Sequence, residues 1–491
     1  MKELKLNYKR TLIIGFAFFS ILMVWQAYNF YCPLYLKYLL NDMLETNGLT
    51  QYTEFIVGCI MALDNVLALF MLPMFGKLSD KTNTKYGKRM PYIIGGMILT
   101  CFVFPLISVF YMLNSLGGVI VTMLLVLIIM NIYRSPAVAL MPDVTPKPLR
   151  STANGLINLV GYFGPVLISA VNMLPFCKFA LGEKNIVIVL IPVFVVVISV
   201  IVAIVVLLSK INEPKILDEM KEELELGEEL SVTQEKIEED KPLSKKDKKN
   251  IVVLLISVCL WFMAFNAVET FSSTYCDAYF SEYTETTQVE NLDEYDTYYI
   301  LEGEEYKLVD SMEDASFTYY VKTYNGSGIA SLATIILTFS SIFTFAIAGY
   351  FAVKFGRKAN VIVGLILLVC GFVPLYFFKS QSIAIYFFFF LLGVGWALIN
   401  VNSYPMCVEM SSNKNIGKIT GYYYTASMIA QSLTPILLGA IIAFMQEVTL
   451  RHLFLYSAIL AILAIAVFSL FKENRERAVE YKKGLNVFDQ D

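Results

Sequence analysis

Along the chain, long apolar runs alternate with short polar breaks, and two longer polar stretches interrupt the pattern. A helix that crosses a bilayer needs roughly 20 mostly apolar residues. Runs of that length fall near 11–32, 52–75, 90–112, 118–141, 153–175 and 186–209. Six more fall near 250–277, 328–354, 359–378, 383–405, 418–443 and 452–471. The pattern predicts an all-α polytopic membrane protein with twelve transmembrane helices, arranged as two six-helix bundles. The expected organisation is one bundle over 1–209, a cytoplasmic linker over 210–249 and a second bundle over 250–491. Lys2, Lys5, Lys9 and Arg10 ahead of an apolar run imitate a signal peptide. The run continues past Trp25 to Cys32 without a small-x-small cleavage site, so a retained first helix is expected.

The two polar stretches differ in kind. Residues 210–249 mix Glu and Lys densely, as in Glu222-Glu223 and Lys245-Lys246, with almost no aromatics. That composition predicts a solvated linker. Residues 278–326 are acidic but rich in Tyr, and 297–309 alternates apolar and polar positions around Gly303. The alternation predicts a β-hairpin, with a third strand over 316–324, in a small extracellular insertion.

Composition agrees with the periodicity. The 491 residues are 57% hydrophobic and 16% charged, against roughly 45–50% and about 25% for soluble domains. Secreted, cytosolic and nucleic-acid-binding classes are set aside, and the net charge of −4 offers no basic excess for phosphate backbones. The placement of Lys and Arg then orients the chain. With both termini inside, 30 of the 38 fall in cytoplasmic segments and 7 in external ones, leaving Arg134 within a helix. The topology is N-in and C-in, and the expected location is the cell membrane. Eight Cys occur without a C-x-x-C pair, and Cys59, Cys101, Cys259 and Cys370 lie in apolar runs, as packing residues do. The single His, His452, excludes a His pair or a multi-His metal site, so neither metal nor cofactor is expected.

Short matches recur between the halves. Asp143 to Gly155 and Glu409 to Gly421 have the same spacing at an offset of 266 residues. Gly87-Lys88-Arg89 and Gly356-Arg357-Lys358 recur at an offset of 269. Falling at corresponding junctions, they favour a duplicated bundle.

The most specific segment runs from Leu72 to Tyr92 and contains Gly76, Asp80, Gly87, Lys88, Arg89 and Pro91. The two glycines allow close helix approach or positive φ. Asp80 can accept hydrogen bonds from Lys88 or Arg89, and Pro91 opens the third helix, where its missing N–H costs nothing. This segment resembles the signature loop of the major facilitator superfamily. Its lengthened form looks like that of the glycoside–pentoside–hexuronide:cation symporters and the sucrose carriers of plants. Ser135-Pro136 through Asp143, followed by Arg150-Ser-Thr-Ala-Asn154-Gly, is similar to the fourth–fifth junction of the sucrose carriers. Gly395–Pro405 and Gln431 agree more loosely. The resemblance implies alternating access by two rocking halves. It implies a latch role for the loop, so Gly76, Asp80, Gly87, Lys88, Arg89, Asp143 and Arg150 are expected to gate rather than to bind substrate.

Charges inside helices carry the sharpest functional signal, because burying one in hydrocarbon is costly. Asp64 lies in the second run, ~18 Å above Gly76, and Arg134 in the fourth, ~12 Å above Pro142, at about 1.5 Å per residue. Their similar depths predict an Asp64–Arg134 pair near a central cavity. Melibiose-type permeases carry two carboxylates at positions occupied here by Leu72 and Ala68, and the plant carriers place an Arg where this chain has Val138. A single carboxylate beside a cation suits a proton better than Na⁺, which prefers several oxygen ligands, so H⁺ is the expected coupling ion with Na⁺ as the alternative.

Further polar groups recur at helical spacing: Gln26 with Asn29, Asn154 with Asn158, Asn266 with Glu269, and Asn400 with Ser403. Each pair shares one helix face, as cavity-lining groups or helix–helix glue would. Together with Gln431, Trp25, Trp261 and Trp396 they offer the hydrogen bonds and flat apolar platforms that a sugar ring needs. The expected function is cation-coupled uptake of a sugar or glycoside by a monomer in the bilayer. The alternatives are an exporter of amphipathic compounds, drugs or lysolipid, and a non-transporting sensor or enzyme. The last would need a catalytic constellation, and no Walker loop, Ser-His arrangement or metal spacing occurs.

Overall fold

The computed structural model describes residues 6–45, 48–146, 149–174, 184–226, 245–286, 298–302, 305–309, 318–324, 326–409, 416–445 and 448–472. Six long helices come first: α1 Tyr8–Glu45, α2 Thr53–Lys81, α3 Met90–Met112, α4 Leu116–Asp143, α5 Arg150–Asn172 and α6 Ile186–Lys210. A short helix, α7 Glu213–Glu219, leads toward the second set. That set is α8 Lys245–Phe280, α9 Ser327–Phe355, α10 Arg357–Phe377, α11 Ile383–Glu409, α12 Ile416–Phe444 and α13 Leu453–Ser469. Twelve spans in the described residues are long and apolar enough to cross a membrane. An even number of crossings returns the chain to the side on which it started.

Several boundaries follow from side-chain caps. Ser115 accepts a hydrogen bond from the backbone N–H of Gly118, and Asn185 accepts one from Val187, each opening a helix. Pro91 stands in the first turn of α3. The largest departure from the hydrophobic reading is α1, which continues beyond Cys32 and through Pro33 to Glu45. Leu34, Tyr35, Leu36, Leu39, Leu40 and Leu44 beyond the proline are all buried. Packing on the neighbouring helices holds together a helix that Pro33 alone would weaken.

Gly87 and Gly356 both have positive φ, +100° and +88°. A turn that only glycine adopts readily therefore stands at both junctions of the predicted repeat. The halves meet most closely where α2 crosses α12 near their extracellular ends. The Pro435 carbonyl leaves no room for a Cβ on Gly58, and the backbone of Glu54 and Phe55 leaves none on Gly439. Tyr52 and Phe55 pack edge-on against Phe444 at 6.0 and 6.1 Å between ring centroids.

The described residues of the Tyr-rich insertion form a four-stranded antiparallel sheet in the order β1-β4-β2-β3, with β1 Glu282–Thr286, β2 Tyr298–Glu302, β3 Glu305–Val309 and β4 Tyr319–Tyr324. The expected hairpin pairs Tyr298 with Val309, the expected third strand is β4, and β1 was not anticipated. The Gly303 turn lies outside the described residues, as does 227–244 of the linker. The described start of the linker is not a solvated coil. Asn212 caps α7 by accepting a hydrogen bond from the backbone N–H of Lys215, and Glu213, Ile216 and Met220 are buried.

Candidate functional site

Between the two halves lies a small cavity that opens to solvent, the empty space in and around it amounting to about 320 Å³. From the first half it is lined by Trp25 and Asn29 of α1 and by Met61, Asp64 and Asn65 of α2. From the second it is lined by Asn266, Glu269 and Thr270 of α8 and by Gln431 and Pro435 of α12. Helical spacing accounts for the clustering: Asn266 and Glu269 stand three apart on α8, and Met61 and Asp64 three apart on α2.

Asp64 is buried, and its Oδ1 makes no hydrogen bond. The Asn266 Oδ1 is likewise buried without a partner. Gln431 turns its amide nitrogen away to the Ser427 carbonyl at 3.3 Å, which leaves its oxygen free for the cavity. Glu269 is solvent-accessible within the cavity and lies within hydrogen-bonding reach of Asn266.

The expected Asp64–Arg134 ion pair is not formed. The Arg134 guanidinium lies over the Trp25 ring, 4.6 Å from its centroid, and takes the aromatic face instead of the carboxylate. Arg134 remains near enough for its charge to act on Asp64, as does the charge of Glu269. The three charges thus form a field around the cavity without a direct salt bridge.

Other expected lining residues point elsewhere. Trp261 is fully buried and packs edge-on against Phe468 of α13 at 6.1 Å. Five residues separate it from Asn266, which places it about 140° round the helix and off the cavity face. Trp396 stacks on Phe265 at 3.9 Å, beside the cavity rather than in its lining. Asn400 bonds back to the Trp396 carbonyl and Asn158 to the Asn154 carbonyl, so both amides satisfy their own helices. Gln26 is half-buried outside the lining, and Asn154 is exposed. Asn65 and Thr270 were missed by sequence reasoning, although each directly follows a charged residue inside an apolar run.

At the cytoplasmic end, the expected latch residues converge. Arg89 is 4% exposed and bonds the Asp143 carboxylate through Nε at 2.8 Å, the Asp80 carboxylate, the Ser79 hydroxyl and the Gly76 carbonyl. Burial opposes its charge, but hydrogen bonds and the charges of Asp143 and Asp80 more than offset this and raise its pKa above the usual guanidinium value. Lys88 reaches the same Asp143 oxygen at 3.1 Å. Arg150 donates to the Pro142 and Thr145 carbonyls, which closes the α4–α5 turn.

Glu213 joins this network and was not anticipated. Its fully buried carboxylate accepts the backbone N–H groups of Lys88, Arg89 and Met90 at 3.0, 2.9 and 3.0 Å. It therefore caps α3 from another segment, at the end where a negative charge is favoured. The positive φ of Gly87 and the lack of space for a Cβ against Glu213 belong to the same contact.

A sequence profile of the Major Facilitator Superfamily matches residues 2–169 and 313–487. The chain belongs to the Major Facilitator Superfamily. It is a multi-pass integral membrane protein with the transporter fold of that superfamily. Among solved structures, an inward-open xylose transporter, XylE from E. coli, is similar over 97% of this chain and 99% of its own, with a TM-score of 0.64 and 13% identity. A D-xylose-proton symporter gives 0.62 with 13% identity, covering 96% of this chain and 99% of that one. The nucleoside transporter NupG gives 0.60 with 11% identity, covering 95% and 100%. At such identities the likeness concerns the fold. A curated Bos taurus relative, Hippocampus abundant transcript-like protein 1, is 25% identical over 175 residues, 33% of this chain and 32% of that one. The alignment thus spans about a third of that relative's length.

Proposed function

We propose that this superfamily member is a cation-coupled symporter for a sugar or glycoside, akin to the glycoside–pentoside–hexuronide and sucrose carriers, with H⁺ preferred to Na⁺. The observation that carries the reading is the cavity lining. Amides Asn29, Asn65, Asn266 and Gln431 and the Thr270 hydroxyl surround two carboxylates, with Trp25 as the one aromatic platform. Hydroxyl-rich rings both donate and accept hydrogen bonds, and such a wall meets both needs. A lipophilic export substrate would leave these amides unpaired.

Asp64 is the proton carrier in this reading. It is buried beside the Arg134 charge without a salt bridge, so gaining a proton breaks no ion pair. The support for sidedness is the crossing of α2 and α12, which closes the extracellular side by backbone contact.

The test is uptake of radiolabelled mono- and disaccharides into sealed vesicles of purified protein. A pH gradient should drive accumulation, and Ala at Asp64, Arg134 or Glu269 should abolish coupled uptake while expression is retained. Uptake driven by a sodium gradient but not by a pH gradient would overturn the proton assignment. Wild-type transport in all three variants would overturn the site.

A further inference from the structure

The charges at the cavity do not balance. Asp64 and Glu269 line it, and among the described residues no Lys, Arg or His does. Arg134, the nearby cation, is set back over Trp25 and acts electrostatically on Asp64. Glu269 has no ion-pair partner among the described residues. A carboxylate held within a transmembrane bundle without a counter-ion is costly, and a cationic ligand would offset that cost.

The hydrogen-bond inventory has the same sense. Asp64 and Asn266 line the cavity and are more than nine-tenths buried, and the Oδ1 of each has no donor. One of the two N–H groups of the Gln431 amide is taken by the Ser427 carbonyl. Beside the unbalanced charge, two buried oxygens therefore lack a donor. A group with several N–H donors, no acceptor and a positive charge meets that requirement, and an ammonium has three such donors.

We infer that the transported molecule carries a protonated amine, held by Glu269 of one half and by Asp64 and the Asn266 oxygen around it. An amino sugar is the class that satisfies both this pocket and the amide wall. The inference rests on the sugar reading for the remainder of the molecule, but the amine contact stands on the carboxylates alone. Because Asp64 belongs to the first half and Glu269 to the second, such a ligand bridges the two halves.

The test measures ligand-induced thermal stabilisation of purified protein in KCl buffer. The probes are glucosamine, glucose, N-acetylglucosamine and the non-sugar amine ethanolamine, with NaCl substituted for KCl in a separate arm. Glucosamine should bind at least about tenfold more tightly than glucose or N-acetylglucosamine, as expected for a charge-assisted contact. Glu269→Gln should bring that ratio to within about twofold of unity, whereas Glu269→Asp, which keeps the charge, should preserve a clear preference. Equal binding of glucose and glucosamine overturns the amine assignment and leaves the sugar reading in place. Binding of ethanolamine with none of the sugars keeps the amine and overturns the sugar reading. Stabilisation by NaCl alone that vanishes in Glu269→Gln, without a preference for glucosamine, assigns the carboxylates to sodium and overturns the proposal. A panel in which nothing binds overturns both.

Discussion

Replacing Glu213 tests the cytoplasmic latch directly. Its carboxylate accepts three backbone N–H groups at the start of α3, at 3.0, 2.9 and 3.0 Å, from a fully buried position. A hydrogen bond to a charged group contributes about 1.5–3 kcal/mol net. Glu213→Gln keeps the shape but turns an NH₂ donor toward N–H donors, so at least one bond is lost and another weakened. The expected cost is about 2–4 kcal/mol, before the smaller loss of the charge at a helix N-terminus. For a unit of about 200 residues, each kcal/mol lowers the melting temperature by roughly 2–4 °C. Glu213→Gln should therefore melt about 4–16 °C below wild type in detergent, followed by intrinsic fluorescence. Glu213→Asp, one methylene shorter, should fall between the two. If Glu213→Gln melts within about 1 °C of wild type, the three bonds do not hold the loop and the argument fails.

Two further outcomes follow from the ends of the bundle. Gly58→Leu places a side chain where the Pro435 carbonyl already stands, so the extracellular ends of α2 and α12 must part. A membrane-impermeant thiol reagent added outside should then modify Asn29→Cys about tenfold faster than in the Gly58 background, the effect of a shift of about 1.4 kcal/mol. An unchanged rate would place the extracellular closure elsewhere. Asp143→Asn removes an oxygen shared by Arg89 and Lys88 and should destabilise by about 1–3 kcal/mol. Because the Arg89 pKa is raised above the usual guanidinium value, its stabilising contribution is complete below that usual value and is lost only above the raised one. The guanidinium stays charged throughout the working range, so the melting difference between wild type and Asp143→Asn should not change between about pH 7 and 9. A difference that shrinks over that range would mean that Arg89 does not carry the network.

The helices were legible because one signal, length of apolar run, decides each of them. Where it failed, packing outweighed local sequence. Pro33 marks an end to a local reading, yet α1 continues because the residues beyond it are buried against other helices. The cavity was only partly legible. Helical spacing grouped Asn266 with Glu269, but spacing within one helix does not reveal which face meets the other half. Trp261 thus looked like a sugar platform and is a packing residue. The Asp64–Arg134 pair failed for a related reason. Equal depth makes two charges neighbours, but the choice between carboxylate and aromatic ring depends on Trp25, which comes from a third helix. Glu213 was hidden because it sits in a Glu- and Lys-rich stretch that looks solvated. Only the Asn212-Glu213-Pro214 order, a cap residue followed by proline, marked a helix start there.

The two ends of the bundle are built on different physics, and this bears on how the halves can move. Outside, α2 and α12 touch backbone to backbone through Gly58 and Gly439, a contact that depends on close approach and is lost steeply as the helices separate. Inside, the hydrogen bonds of Arg89, Lys88 and Glu213 all lie within the first half and the helix that follows it. Rocking of the halves would break the first set and need not touch the second. A ligand held between Asp64 and Glu269 works in the opposite sense, because it links α2 to α8 directly. Opening the extracellular contact while the ligand is bound must preserve that link, which requires the halves to turn about the cavity rather than to separate there.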